Sequence, residues 1–114
     1  MRVRIIKWNN VIEYCEKDKK MLKAFHRFHE VAKEANWSKP QDIIRSYNDS
    51  DLVTCKKQKT SRIVFNIGQN KYRLIVGYHF ASIQTILYVK FVGTHKEYDL
   101  VDACTINMFK KKRQ

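Results

Sequence analysis

The hydrophobic period changes once along this chain, and the change divides it into a helical first part and a stranded second part. Met21, Ala24, Phe25, Phe28, Val31, Ala32 and Ala35 recur at three- and four-residue spacing, which lines them along one stripe of a helix. Lys23, Arg27, Glu30, Lys33 and Glu34 fall mainly outside that stripe. From Arg62 onwards the period becomes two. Residues 62–67 read as a strand, Gly68-Gln69-Asn70 as its turn, and residues 71–80 and 85–94 as two further strands. Connections this short favour an antiparallel meander. Helices first and strands second predicts an α+β fold, a small antiparallel sheet with the N-terminal helices packed on one face.

The remaining segments are weaker signals. Residues 2–7 alternate loosely and predict a first strand, after which Asn9 or Asn10 caps a short helix reaching about Asp18. Pro40 suits the start of a helical turn through Ile44, with Ser38 as its cap. Residues 48–51 read as a turn and 56–59 as an exposed basic loop. With 114 residues, one proline, three glycines and no linker, the chain reads as a single domain over residues 1–114. Its basic tail, residues 110–114, reads as a solubilising end.

A formal charge of +12 narrows the partners. The 44% hydrophobic content argues against disorder. A folded domain this basic repels itself, so the charge points to a polyanion rather than to a merely soluble surface. The first residues lack an apolar signal region and no apolar run approaches the roughly 20 residues of a membrane span, so no membrane partner is expected. Cys15, Cys55 and Cys104 are far apart and odd in number. They read as reduced thiols of a cytoplasmic protein, with neither a disulfide nor a zinc site expected. His26 and His29 sit three apart on the long helix without further ligands and read as helix-flank residues; no metal or cofactor is expected.

Alternation identifies the sheet's free face. In residues 71–80, Tyr72, Leu74, Val76, Tyr78 and Phe80 share one side. In residues 85–94, Thr85, Leu87, Val89, Phe91 and Gly93 oppose Ile86, Tyr88, Lys90 and Val92. Burying the more apolar sets leaves Arg62, Asn66, Arg73, His79, Tyr88 and Lys90 on a shared open face. Cations for phosphates beside a ring for stacking suit single-stranded nucleic acid.

The segments 62–67, 70–74 and 89–99, above all Gly93-Thr94-His95-Lys96-Glu97-Tyr98-Asp99, resemble the HigB toxins of the RelE/ParE superfamily. Weaker similarity extends over Ala35-Asn36-Trp37-Ser38-Lys39-Pro40, so that roughly residues 20–100 are covered. The resemblance implies a RelE-like domain that cleaves mRNA in the ribosomal A site, against ribosomal RNA. It also implies neutralisation by a HigA-type helix-turn-helix antitoxin, with operator DNA bound only through that antitoxin. The sequence departs from the family at Lys90, where arginine is common; lysine keeps the charge but loses the planar fork that grips phosphate.

A metal-independent ribonuclease needs a base, an acid and cations for the charge developing on phosphate while the 2′-hydroxyl attacks it. His95 is the expected proton-transfer group, since imidazole exchanges protons near neutral pH. Arg73 is the expected phosphate clamp, with Lys90 adding positive potential. Tyr98, one turn beyond His95 if residues 95–100 are helical, is expected to stack on a base or orient the nucleophile. Asp99 either holds the histidine tautomer or caps the turn. Arg62, Asn66, Lys71, Tyr88 and Lys96 are the expected RNA-binding residues. Two other readings share the charge: a non-catalytic RNA-binding domain, and a ParE-like gyrase poison on the same fold.

Overall fold

In the computed structural model, which describes residues 2–47 and 49–109, a five-stranded sheet carries helices on one face and a C-terminal segment on the other. In chain order the elements are β1 (Arg2–Ile6), α1 (Trp8–Cys15), α2 (Lys19–Lys33), α3 (Pro40–Ser46), β2 (Ser50–Cys55), β3 (Thr60–Ile67), β4 (Tyr72–Phe80), β5 (Gln84–Thr94) and α4 (His95–Tyr98). The basic tail expected at 110–114 lies outside the described residues.

Local chemistry accounts for most boundaries. Asp18 caps α2, its carboxylate accepting from the backbone N–H groups of Lys20 (3.0 Å) and Met21 (3.3 Å). That satisfies donors at the positive end of the helix dipole. Met21, Phe25, Phe28 and Ala32 form its buried stripe, whereas Val31 falls at the margin, 42% exposed, and Ala35 lies beyond the helix. α1 begins at Trp8, after Lys7 in a left-handed conformation, so Asn9 and Asn10 sit inside the helix rather than capping it. Pro40 does open α3, but the expected cap is inverted. Asp42 accepts from both the N–H (3.0 Å) and the hydroxyl (2.9 Å) of Ser38, and Lys39 occupies the N-cap position.

The strand order is β1-β5-β4-β3-β2. β3 to β5 form the expected antiparallel meander, which β2 extends by one strand, but β1 joins β5 in parallel, with Val3 opposite Thr85 and Ile5 opposite Leu87. The sheet is therefore mixed: α1 to α3 carry the chain from β1 at one edge to β2 at the other, and the meander returns to set β5 beside β1. β2 overlaps the end of the turn expected at 48–51 and fills residues 52–55, to which the sequence assigned no element, while 56–59 is the exposed basic loop expected. As an edge strand with Asp51, Leu52 and Thr54 exposed, it shows no apolar alternation.

The helix-side core is aromatic. Phe65 sits between the rings of Phe28 (4.7 Å), Tyr47 (5.5 Å) and Trp37 (6.4 Å). Full burial of such a side chain is worth about 1.5–3 kcal/mol. The opposite face has a second, smaller core of Val64, Ile75 and Phe91, covered by Tyr98, Val101, Ala103 and Ile106.

That second core exists because of an irregularity in β5. Phe91 pairs with Ile75 but Val89 pairs with Val76, so Lys90 is an extra residue in a bulge. Thr85, Leu87 and Val89 face the helices as expected. Past the bulge the parity inverts, Val92 turning to the helices and Phe91 and Gly93 to the other face. The strict alternation drawn from sequence for residues 85–94 is corrected accordingly.

The cysteine expectation is also corrected. Cys55 and Cys104 form a disulfide, their Cα atoms 5.5 Å apart across a sequence separation of 49, while Cys15 is a buried thiol. Sequence spacing carried no sign of this pairing, because the C-terminal segment must first fold back across the sheet. Closing a loop of that length stabilises by about 4 kcal/mol on the chain-entropy view. No helix among the described residues is long and apolar enough to cross a membrane.

Two stability predictions follow from the second face. A Cβ on Gly93 would lie 2.7 Å from Phe91 Cζ and 3.1 Å from Glu97 Oε1. Gly93→Ala is expected to destabilise the chain by about 1–3 kcal/mol in denaturant unfolding. Adding Phe91→Ala should make the pair less destabilising than the sum of the singles; strict additivity would contradict the clash. The second concerns Glu97, whose carboxyl is held below its ordinary value chiefly by the Thr94 backbone N–H, with Tyr14 and the Thr94 hydroxyl assisting. Its contribution is therefore present above the unfolded pKa, about 4.3, and is lost as pH falls through the depressed folded value. Glu97→Gln should flatten that part of the acid limb of a stability–pH curve, and an unchanged limb would contradict it.

Candidate functional site

Arg73 is the least ordinary residue on the second face, a cation only 8% exposed in the middle of a sheet rung. Its strand neighbours on that rung are Asn66 of β3 and Gly93 of β5. Nη1 donates to the backbone carbonyls of Asn70 (3.2 Å) and Tyr72 (3.4 Å). The guanidinium carbon lies 5.5 Å from the centroid of the Tyr98 ring. A cation over an aromatic face is attracted by the ring quadrupole, more so when partly desolvated. Among the described residues no carboxylate forms an ion pair with Arg73. Nor does any fully buried side-chain nitrogen or oxygen there lack a partner. The Nε and Nη2 donors are therefore open to solvent or to an anion.

The next element places an imidazole at the same end of the sheet. The His95 backbone N–H donates to Lys71 O at 3.0 Å, tying the start of α4 to the residue before β4. α4 is one short turn, and its start is over-determined. Thr94 accepts from the Glu97 N–H (3.2 Å) while Glu97 accepts from the Thr94 N–H (2.9 Å). Sequence reading missed this reciprocal capping box, although a threonine followed three residues later by a glutamate is its signal. Both Glu97 oxygens also accept from the Tyr14 hydroxyl at 2.8 Å, an anchor from α1 that sequence reading missed. Burial and the Glu97 carboxylate push the Tyr14 phenol up to about 12. Within α4, His95 Nδ1 lies 3.3 Å from Asp99 Oδ2, so Asp99 orients the imidazole. Tyr98 packs edge-on against Phe91, with centroids 6.4 Å apart, between that core and Arg73. Lys71 and Lys96 are exposed nearby.

The other expected residues do not share one open face with these. Residues 99–109 run across the sheet as a strap, and Arg62 serves it. Its Nη1 donates to Ala103 O (2.9 Å) and Ile106 O (2.6 Å), and burial lowers its pKa. Lys90, on the bulge, accepts at its carbonyl from Met108 N–H at 2.8 Å. Its Nζ sits 5.9 Å from the Tyr88 ring centroid, and burial, then Arg62 and Lys7, lower its pKa. Lys7, which sequence reading passed over, donates from Nζ to Phe109 O. Tyr88 and Gly77 form a rung four residues along β4 from that of Arg73, about 13 Å away at the usual strand rise. The expected residues thus fall into two groups along the sheet: Arg73, His95, Lys71 and Lys96 at one end, and Lys90, Tyr88 and Arg62, joined by Lys7, towards the other. Asn66 belongs with the first and is half-buried; His79 is exposed at the far end of β4. His29 stacks on Trp8 at 4.7 Å and burial lowers its pKa, a packing role on α2.

Comparison with curated proteins returns no match. A family model described as the HigB toxin, the RelE-like toxic component of a toxin–antitoxin system, matches residues 21–101. The matched span runs from the first buried residue of α2 through α4, and so includes the Arg73 rung and His95. With that much of its length matched, the chain belongs to the HigB family of RelE-like toxins.

Proposed function

We propose that this toxin is a metal-independent endoribonuclease that cleaves mRNA in the ribosomal A site, and that a HigA-type helix-turn-helix antitoxin neutralises it. As a toxin of a toxin–antitoxin system the chain has an antitoxin partner; the ribosome, the message and the antitoxin type are part of the proposal. The observation that carries it is the half-satisfied guanidinium of Arg73. Nη1 is spent on two carbonyls and Tyr98 covers the group, while Nε and Nη2 remain as donors; α4, which starts at the same end of the sheet, carries His95 with Nδ1 3.3 Å from Asp99.

The chemistry follows from those positions. The two open donors of Arg73 clamp the nonbridging oxygens of the scissile phosphate and stabilise the charge that accumulates there. With Nδ1 turned to Asp99, His95 presents Nε2 for proton transfer. The 2′-hydroxyl attacks phosphorus as its proton passes to a base, and the bond to the 5′-oxygen breaks as that oxygen gains a proton. The products are a 2′,3′-cyclic phosphate and a 5′-hydroxyl. His95 supplies one of these proton transfers, and Lys71 and Lys96 add potential for the backbone. Tyr98 stacks against a base or aligns the nucleophile. Lys90 and Tyr88 hold RNA further along the sheet, a binding role rather than a chemical one. A single histidine suits a toxin whose substrate is presented by the ribosome, because positioning alone lowers a barrier substantially.

The test is to map RNA ends after incubating the toxin with translating ribosomes. Wild type should leave new 5′-hydroxyl ends, and His95→Gln should reduce their rate by about 10²–10⁴-fold. Arg73→Lys should lose most of the activity while keeping the charge, because it removes the fork, and Arg73→Ala should lose no less. Undiminished cleavage by both His95→Gln and Arg73→Ala would remove the mechanism. Absence of any cleavage by folded wild-type protein would remove the enzymatic reading.

A further inference from the structure

The disulfide stands apart from the chemistry above, and it lies where it can govern access to it. Cys55, the last residue of β2, is 2% exposed; Cys104, in the strap, is only partly covered. Around Cys104 the strap is tied to the body by Arg62 to the carbonyls of Ala103 and Ile106, by Met108 N–H to Lys90 O, and by Lys7 to Phe109 O. Every one of these ties other than the disulfide is non-covalent; Arg62 and Lys7 spend side-chain donors on the strap, and Lys90 only its backbone carbonyl. The family match ends at residue 101, so most of the strap lies beyond it.

We propose that the Cys55–Cys104 bond is a thiol–disulfide exchange site for a cellular dithiol, and that its reduction releases residues 102–109 from the sheet and makes Arg62 available to RNA. The second half rests on the RNA-cleaving reading above; the first does not. While the bond is closed, residue 104 stays fixed to β2 and the strap can only fray on either side of it. Once it is open, the strap can lift as a unit. α4 does not depend on it, being held by its capping box and by Tyr14, so the His95 end of the site persists.

The exchange is balanced and has a direction. The dithiol's thiolate attacks the more accessible Cys104 sulfur, forming a mixed disulfide, and the Cys55 sulfur leaves as a thiolate beside Lys56 and Lys57. The dithiol's second sulfur then displaces Cys104. Cys55 and Cys104 gain two electrons and two protons, and the dithiol becomes a disulfide. Cys15 does not compete, since burial pushes its thiol up to about 11.

The test uses the full chain, oxidised with glutathione disulfide or reduced with dithiothreitol, and a fluorescent single-stranded RNA made uncleavable by 2′-O-methyl groups. Hydrogen exchange at the Met108 amide should accelerate at least tenfold on reduction, and RNA affinity should rise. The slope of log affinity against log salt should steepen by about 0.7, the contribution of one added phosphate contact on a single strand. Cys104→Ser should behave as reduced in both buffers. Equal exchange in the two redox states, or alkylation of both Cys55 and Cys104 after oxidation, would overturn the exchange site. Faster Met108 exchange without RNA binding in either state would support the site and overturn the RNA reading.

Discussion

One inserted residue sets the architecture of the second face. Had β5 kept strict alternation through Lys90, Phe91 and Gly93 would turn to the helices with Leu87 and Val89, and Val92 would face the other way. The bulge inverts the strand beyond it. Phe91 thereby joins Val64 and Ile75, giving Tyr98 an apolar seat, and Gly93 leaves room beneath the Phe91 ring and Glu97. Tyr98 can then lie across Arg73. The small core, the placement of α4 and the partly buried guanidinium all descend from that irregularity.

The two faces of the sheet are stabilised in different ways. The helix side relies on close aromatic packing, with Phe65 at its centre. The strap side is too thin for such a core, and it relies on cations donating to backbone carbonyls and on one covalent link. A chain with a formal charge of +12 is well supplied with donors for this purpose. Carbonyl oxygens offset the charge only partially, so the second face keeps its positive potential while remaining ordered.

What was legible in the sequence follows from the range of the interactions concerned. The α2 stripe and the three later strands depend on neighbours within a few residues, and period reveals them; the Thr94–Glu97 box is as local, but its spacing was passed over. The family was legible for a related reason, because its most specific residues are contiguous, from Gly93 to Asp99. The bulge was not, since an extra residue in an apolar run such as Val89-Lys90-Phe91-Val92 leaves a pattern that either register can explain. β2 was missed because an edge strand with polar exposed positions has little periodic signal. Long-range closures left no trace at all: Cys55 with Cys104, Tyr14 with Glu97, Lys7 with Phe109. The expectation of a single open cationic face failed on these, because the strap that divides it comes from residues with no strong pattern of their own.

The two arginines of that face show how sequence distance translates into function. Each spends Nη1 on a pair of backbone carbonyls. Those of Arg73 belong to Asn70 and Tyr72, in the β3–β4 turn and the start of its own strand. Those of Arg62 belong to Ala103 and Ile106, 41 and 44 residues further along the chain. A guanidinium anchored by its own turn keeps its orientation whatever the C-terminal segment does, and fixed donors of this kind need no reorganisation when charge develops on a phosphate. A guanidinium anchored by the strap is oriented only while the strap is down, and its donors face carbonyls rather than a ligand. On the proposed reading, Arg73 therefore has the preorganisation that transition-state stabilisation requires, and Arg62 has the conditional availability that suits a contact made or withheld.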